Sequence, residues 1–170
     1  MSMNCNSNLL ANHTHLRNSW KEHYEKNVNT KLRADSRRQR RRLTEFGEIS
    51  FEVATDKETK KIIIAKMIGQ KSRRYRDTGV LDMLSVPEHK EFYKMLADIT
   101  DDTLKIHCAA LYVGETIVAT HVGLVDQSIF YYLMPAHEGG KWERYSPGRL
   151  LLEHLLEWSI QNKLKVFDFT

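Results

Sequence analysis

The sequence has too few cysteines for a disulfide-rich secreted protein, and its apolar runs are too short for a transmembrane helix. Cys5 and Cys108 are its two cysteines, which provide neither a disulfide framework nor a cysteine-based metal spacing, so a reducing compartment is expected. Its apolar runs extend over a few residues, far short of the roughly 20 that cross a bilayer. Its amino terminus shows neither the basic leader nor the apolar segment of a secretory signal. We therefore expect a cytoplasmic protein without a membrane span.

Positive charge is in excess and is concentrated in one segment. The 170 residues carry a formal net charge of +4, which favours anionic partners without naming one. The hydrophobic content of 41% is ordinary for one globular domain with a core. An arginine cluster is interpreted as a solvated helix face, with a nucleic-acid site as the alternative. Its members are Arg33, Arg37, Arg38, Arg40, Arg41 and Arg42.

The first third of the chain predicts a tail, two helices and a strand. Residues 1–15 are rich in Asn and Ser, which is typical of a mobile tail. Apolar residues at every fourth position over 16–32 predict an amphipathic helix, with a break at Asn27, Asn29 and Thr30 as the alternative. A second helix over about 33–46 carries the arginines. Alternating apolar and polar residues over 49–54 predict a strand. In the second helix, the residues predicted to face inward are Leu43 and Phe46.

Two further helices are each predicted to begin at a capping box, in which a hydroxyl and an acid three residues later satisfy backbone donors. Thr55 precedes a helix over 56–68, and Ser85 precedes another over 86–98. Residues 71–79 between them are interpreted as a basic connector. The residues predicted to face inward in the later helix are Phe92, Met95, Leu96 and Ile99.

Three strands joined by hairpin-length turns are the clearest pattern in the sequence. They are predicted over 104–113, 116–125 and 128–134, which makes an antiparallel meander. A short strand over 164–169 follows a helix, and a strand, a helix and a second strand at this spacing predict a parallel crossover. The sheet is therefore predicted to be mixed, in an α/β (α+β) fold.

The helix before the last strand has an unusual start. Ser146 is predicted to cap it through its hydroxyl, and Pro147 occupies the first helical position. Arg149 stands where a capping box places an acid. A cation, a small Gly148 and the positive end of a helix together suit a phosphate group, although Arg149 pointing to solvent is the alternative. Inward residues are predicted at Leu151, Leu152, Leu155, Leu156 and Ile160, and outward residues at Glu153, Glu157 and Gln161.

Four segments carry a resemblance to a known family. They are the arginine run at 37–43, the strand of Tyr132, the helix start at 146–152 and the Phe-Asp-Phe sequence at 167–169. Together with the order of elements, they resemble the GNAT-fold acyltransferases, and among these the CelD/BcsL-like acetyltransferase family associated with bacterial cellulose biosynthesis. The resemblance covers 33–170, after an N-terminal tail and helix at 1–32. Members of that family continue past Phe-Asp-Phe, so we expect a GNAT-like domain lacking its last strands.

The resemblance implies acetyl-CoA, or another acyl-CoA, as the cofactor. Its pantetheine arm would pair with the backbone of the third meander strand, and its diphosphate would lie on residues 145–150. The residues implied to bind it are Tyr145, Ser146, Gly148, Arg149 and Leu150.

Acyl transfer to an amine needs a base for the ammonium, a donor for the oxyanion and an acid for the leaving thiolate. His121 shares a strand face with Ala119 and Gly123, two small residues that leave space around it. Its imidazole is suited to proton transfer at neutral pH. The resemblance places Tyr132 near the acyl group. Asp168, among apolar neighbours, is interpreted as a base or a substrate-orienting group. The alternatives are a core histidine, a packing tyrosine and an aspartate paired with arginine, and no metal-ligand spacing is present.

Three functions follow from the sequence. The first is an acyltransferase that moves an acetyl group from acetyl-CoA to an amine of a small molecule or peptide. The second is a Fem-like transferase that takes its acyl group from aminoacyl-tRNA, with the arginine cluster as a contact for tRNA. The third is a non-catalytic binding or assembly module, in which a homo-oligomer covers strand edges left open by the absent strands.

Overall fold

The computed structural model of the chain describes residues 12–100 and 104–170, and within them a single mixed sheet is flanked by helices. The strands are β1 (His13–His15), β2 (Ile49–Val53), β3 (Leu104–Val113), β4 (Thr116–Asp126), β5 (Ile129–His137) and β6 (Val166–Asp168). The α-helices are α1 (Trp20–Asn27), α2 (Thr30–Leu43), α3 (Lys57–Thr78), α4 (Pro87–Met95) and α5 (Pro147–Gln161).

The sheet confirms the predicted meander and crossover. Its strand order is β1-β6-β5-β4-β3-β2, and neighbouring strands are antiparallel except β5 and β6, which are parallel. α5 connects this parallel pair, as a crossover helix must. The third meander strand runs to His137, three residues beyond its predicted end.

The two faces of the sheet pack against different helices. Alternation along β3 directs Cys108 and Ala110 into a core with α3, and Ala109 and Leu111 into a core with α5. Because both faces are covered, the central strands consist mostly of buried residues. No helix among the described residues is long and apolar enough to cross a membrane.

α3 ends ten residues later than predicted, because Gly69 does not stop it. Asp56, rather than Thr55, caps the helix by accepting a hydrogen bond from the Thr59 N–H at 2.9 Å. The helix ends at Gly79, which has a φ of 69°. The segment interpreted as a basic connector is therefore its last two turns, in which Ser72 is buried and Tyr75 packs against the core.

α4 exposes side chains that were predicted to face inward. Phe92, Met95 and Ile99 are exposed, and Leu96 is half-buried. The predicted capping box is also wrong, because the Ser85 hydroxyl donates to the Asp82 carbonyl at 2.6 Å and Val86 takes the capping position. The helix is short and lies at the periphery, so its apolar period did not indicate a buried face.

The N-terminal part of the described chain adds a strand that the sequence pattern did not predict. β1 pairs antiparallel with β6, with Thr14 opposite Phe167, and so covers the outer edge of β6. The helix predicted over 16–32 is two helices, and the break lies at the residues named as its alternative end: α1 ends at Asn27, and Asn29 caps α2 by accepting from the Leu32 N–H at 2.8 Å. Of the predicted mobile tail, residues 1–11 lie outside the described part of the chain.

A buried carboxylate joins the two N-terminal helices to α5. Glu153, predicted to face outward, is 4% exposed. It accepts hydrogen bonds from the Ser36 hydroxyl at 2.5 Å and the Tyr24 hydroxyl at 3.2 Å, and pairs with Arg40 at 2.7 Å. These three donors make burial of the charge tolerable. One arginine of the cluster therefore has a structural role; Leu43 is buried as predicted, while Phe46 is exposed.

Candidate functional site

The crossover pair of strands separates after three residues. β5 pairs with β6 from Ile129 to Tyr131, and the Thr170 hydroxyl then donates to the Tyr132 carbonyl at 3.0 Å. From Leu133 to His137, no described strand pairs with β5 on that side. The C-terminal half of β5 therefore presents an open edge within the sheet.

A β-bulge lies where the edge opens. Val122 pairs with Met134 and Leu124 pairs with Tyr131, so two residues of β5, Tyr132 and Leu133, lie opposite Gly123 alone. A Cβ on Gly123 would approach the Tyr131 carbonyl oxygen to 2.3 Å and the His121 ring to 2.5 Å. Glycine is therefore needed here for both the bulge and the histidine.

The direction of the backbone groups beyond the bulge follows from one hydrogen bond. The Glu138 N–H donates to the Val118 carbonyl at 2.8 Å, and alternation then directs Ala136 and Met134 toward β4. Pro135 and Leu133 are directed to the open edge. The missing N–H of Pro135 thus breaks no hydrogen bond of the sheet, and its carbonyl is available to a ligand.

α5 begins at Pro147, as predicted, but without the predicted hydrogen bond to the Ser146 hydroxyl. Ser146 is left-handed, with φ 53° and ψ 51°, and its hydroxyl makes no capping hydrogen bond. Its carbonyl instead accepts from the N–H groups of Arg149 and Leu150 at 3.1 and 3.2 Å. The predicted hydroxyl cap is wrong, because Ser146 has a left-handed backbone and not the extended backbone that is typical of a capping residue. Within the described chain, no hydrogen bond engages the Gly148 N–H.

Arg149 is not an unpaired cation. Its guanidinium donates to the Asp35 carboxylate of α2 at 2.5 Å. This hydrogen bond, with further attraction from Arg149 and Arg38, lowers the pKa of Asp35 below its usual value. The sequence predicted that Arg149 offers a free charge to a phosphate. This is not so, because Asp35, from a distant part of the chain, pairs with it.

Two other cations lie beside the start of α5. Lys71 and Arg74 project from the last turns of α3, and no described carboxylate lies within 4.0 Å of either one. Burial, followed by repulsion from Arg74, lowers the pKa of Lys71. The nearby Glu138 is already bound by Lys66 and Arg73, each at 2.6 Å. Positive charge near the helix start is thus supplied by α3.

These features surround one cleft of about 530 Å³. Its rim includes one exposed acid, Glu143. Of the predicted cofactor residues, Ser146, Gly148 and Arg149 line it, whereas the side chains of Tyr145 and Leu150 lie in the core. The other lining residues are Gln70, Lys71, Arg74, Tyr132, Pro135, Ala136, His137, Pro147 and Leu152.

His121 lies directly behind the cleft. It is fully buried, and neither of its ring nitrogens has a hydrogen-bond partner within the described residues. Burial, with smaller contributions from His107 and Lys71, holds the pKa of His121 well below its usual range. Its ring stacks on Tyr132 with centroids 4.8 Å apart and planes 5° apart. Tyr132 therefore lies between His121 and the cleft.

Tyr132 and Asp168 are differently placed. Tyr132 lines the cleft, and burial raises the pKa of its phenol to about 12. Asp168 lies on β6 opposite Tyr131 and accepts a hydrogen bond from the Thr170 N–H at 2.8 Å. The structure thus brings His121 and Tyr132 together and places Asp168 on the neighbouring strand, linked to the Tyr132 carbonyl through Thr170.

Sequence reasoning missed Lys71 and Arg74 as site residues, because it ended the preceding helix at Gly69. A predicted helix that continued to Gly79 would have placed Lys71 and Arg74 about one turn apart, on the same helix face. His137 was missed as well, and its ring packs so closely on α5 that a Cβ on Gly148 would approach it to 3.2 Å. No signal in the sequence indicated that Asp35 would pair with Arg149.

The chain was compared with known proteins in three ways. A family model described as an acetyltransferase (GNAT) domain matches residues 30–170. No curated protein matches the chain. Among solved structures, it is similar to the C-terminal domain (DUF2156) of a protein named as a lysylphosphatidylglycerol synthetase from Agrobacterium fabrum, with 16% identity and a TM-score of 0.48. That similarity covers 84% of this chain and 41% of the solved one. Because the family model spans most of the chain, the chain belongs to the GNAT acetyltransferase domain family.

Proposed function

We propose that the chain is an N-acyltransferase domain that moves an acetyl group, or another acyl group, from acyl-CoA to an amine of a small molecule or peptide. The observation that carries the proposal is the meeting of three features in one cleft. These are the open edge of β5, the N-terminus of α5 and the cations Lys71 and Arg74, neither of which lies within 4.0 Å of a described carboxylate. Membership of the CelD/BcsL-like family is part of the proposal and is supported by the segments at 37–43, 146–152 and 167–169.

The cleft residues fit the parts of coenzyme A. An extended chain with amide groups pairs with an unpaired strand edge, where the Pro135 carbonyl is available to accept a hydrogen bond. Phosphate groups suit the Gly148 N–H at the positive end of α5, together with the charges of Lys71 and Arg74. When bound, acyl-CoA supplies an acyl group that is activated as a thioester. Tyr145 and Leu150 would contribute by fixing the backbone of the α5 start, since their side chains are buried.

Tyr132 is proposed to act as the acid. A phenol with a pKa of about 12 keeps its proton at neutral pH, and it is therefore able to donate that proton to a leaving sulfur. Its hydroxyl makes no hydrogen bond within the described residues, so the proton is not committed elsewhere. The bulge at Gly123 directs this side chain into the cleft.

His121 and Asp168 have supporting roles in the proposal. A base must reach the amine, and His121 is separated from the cleft by the Tyr132 ring. The geometry favours His121 as a positioning residue that holds Tyr132 by stacking. Asp168 is proposed to orient the acceptor amine, because it lies one strand away from the open edge and carries a negative charge.

Calorimetric titration with acetyl-CoA tests the cofactor site. We expect binding by the parent chain, and about tenfold weaker binding by Lys71→Gln and by Arg74→Gln, since each removes a charge near the phosphates. Arg41→Gln is the matched control, because Arg41 is an exposed arginine of α2 without an ion pair among the described residues. Its affinity should equal that of the parent.

An absence of heat with the parent, or equal losses in all three variants, would exclude this cofactor site. Salt-sensitive binding of tRNA without binding of acetyl-CoA would instead support the Fem-like alternative.

A further inference from the structure

A second, larger cleft lies at the opposite end of the sheet. Its volume is about 690 Å³. It forms where β2 ends at Val53 and leaves β3, so that no described strand pairs with the segment from Lys105 to His107 on that side. The C-terminal end of α5 closes the cleft through Trp158 and Asn162. It is thus separate from the cleft at the N-terminus of α5.

The charged side chains among the described residues that line this cleft are positive. Lys60 and Lys105 line it, and neither lies within 4.0 Å of a carboxylate in the part of the chain that the structure describes. No described acidic residue lines it. Lys60 lies on α3, where another lysine does pair with an acid: Lys57 pairs with Asp98 at 2.7 Å. Two cations on a shared concave surface, neither within 4.0 Å of a described carboxylate, favour an anion.

The remaining wall is apolar and aromatic, with polar side chains at its edge. Val53, Ile106, Val125 and Leu164 supply the apolar surface, and Trp158 supplies a large flat side chain. The polar edge consists of Thr55, Gln127 and Asn162. A ligand that fits this wall has a compact apolar body beside its charge.

An unsatisfied imidazole lies within the same wall. His107 is 4% exposed and packs against Trp158, with ring centroids 4.4 Å apart. Neither of its ring nitrogens has a hydrogen-bond partner within the described residues. Buried polar groups in folded proteins almost always have partners. His107 therefore provides a donor and an acceptor that no described residue uses.

We infer that this second cleft binds a small carboxylate with an apolar body, whose charge lies between Lys60 and Lys105 and whose body lies against Trp158. His107 supplies a polar contact beneath Trp158, either to the ligand or to a water bound with it. This site does not depend on the proposed cofactor cleft, and it requires no residue from it.

The test follows the indole N–H resonance of Trp158 in the 15N-labelled chain, assigned by its loss in Trp158→Phe. The probes are phenylacetate and hexanoate, each compared with its uncharged amide. We expect saturable shifts with a carboxylate and binding of the matching amide that is weaker by about tenfold or more. Lys60→Gln and Lys105→Gln should each weaken carboxylate binding about fivefold or more, by loss of one charge.

Lys31→Gln, which removes an exposed lysine of α2, is the control and should bind as the parent does. Equal affinity for acid and amide, no saturable shift with either acid, or equal weakening in the control would overturn the inference. Titration of Lys60→Gln with acetyl-CoA separates the two clefts, because the inference requires an unchanged affinity there.

Discussion

Arg149 at the start of α5 and Asp35 in the second turn of α2 form an ion pair at 2.5 Å, although they are 114 residues apart in the chain. The pair fixes the tip of α5 against α2. It also removes one cation from the adjacent cleft, so the charge offered to an anionic ligand comes from α3. Glu153, one turn further along α5, binds Arg40 and Ser36 of α2. These contacts and the Arg149–Asp35 pair together hold α2 against α5.

Replacing Asp35 with Asn should therefore strengthen binding of acetyl-CoA. The change frees the Arg149 guanidinium beside the cleft, and this positive charge, added to those of Lys71 and Arg74, is expected to raise the affinity about threefold. Calorimetry at low and high salt measures the gain, which should shrink at high salt. The gain should vanish in Asp35→Asn/Arg149→Gln; if it persists there, Arg149 is not its source.

Tyr132→Phe should lower kcat for acetyl transfer by about 10²–10³, because it removes the proposed acid and keeps the aromatic ring. The stacking on His121 is preserved in this variant, so the affinity for acetyl-CoA should not change. Steady-state kinetics and calorimetry together separate the two effects. An unchanged kcat would show that another group protonates the leaving sulfur.

Two glycines make a matched pair for the bulge. Gly123→Ala should lower the free energy of unfolding by about 2 kcal/mol or more, because its Cβ would lie 2.3 Å from the Tyr131 carbonyl oxygen. Gly69→Ala, in the middle of α3 with no atom within 4 Å of the new Cβ, should raise it by about 0.5–1 kcal/mol. Urea denaturation measures both, and a destabilised Gly69→Ala would contradict the helical assignment.

The buried carboxylate of α5 should contribute strongly to stability. Glu153→Ala leaves Arg40, Ser36 and Tyr24 without their acceptor, and we expect a loss of about 2–4 kcal/mol in the free energy of unfolding. This range is below that for a fully buried pair because the Arg40 side chain is 32% exposed. Glu157→Ala, on the same helix, should change stability by less than about 0.5 kcal/mol. Similar losses in the two variants would refute a special role for Glu153.

Stability should fall as the pH falls from about 7 toward 4. Burial lowers the pKa of His107 to about 3 and that of His154 to about 4, and it holds the pKa of His121 well below its usual range. An unfolded histidine has a pKa of about 6.5. Between these values the unfolded chain binds protons that the folded chain does not bind, so the free energy of unfolding rises with pH.

Urea denaturation at several pH values measures this slope. His107→Phe should reduce it by about one proton, since phenylalanine fits an apolar wall without titrating. His15→Gln removes an exposed imidazole and serves as the control. A slope unaffected by His107→Phe would mean that His107 is solvated in the folded state.

The sequence determined the elements whose local signals agree with their surroundings. The period-two segments and short turns of the meander predicted β3, β4 and β5, and Pro147 correctly marked the start of α5. The GNAT family was also within reach of the sequence, because the order of its elements lies along the chain. Such features depend on residues that are close together in the chain, so no distant contact can cancel them.

The tertiary structure decided the charges and the exposed faces. Arg149 was expected to be free and is paired with Asp35, Glu153 was expected to be outside and is buried, and Phe92 was expected to be inside and is exposed. Each outcome depends on which distant element packs against the residue, and helical period alone indicates a face without naming its neighbour. Lys71 and Arg74 reach the cleft for the same reason: α3 continues past Gly69 because the sheet beneath it stabilises two more turns.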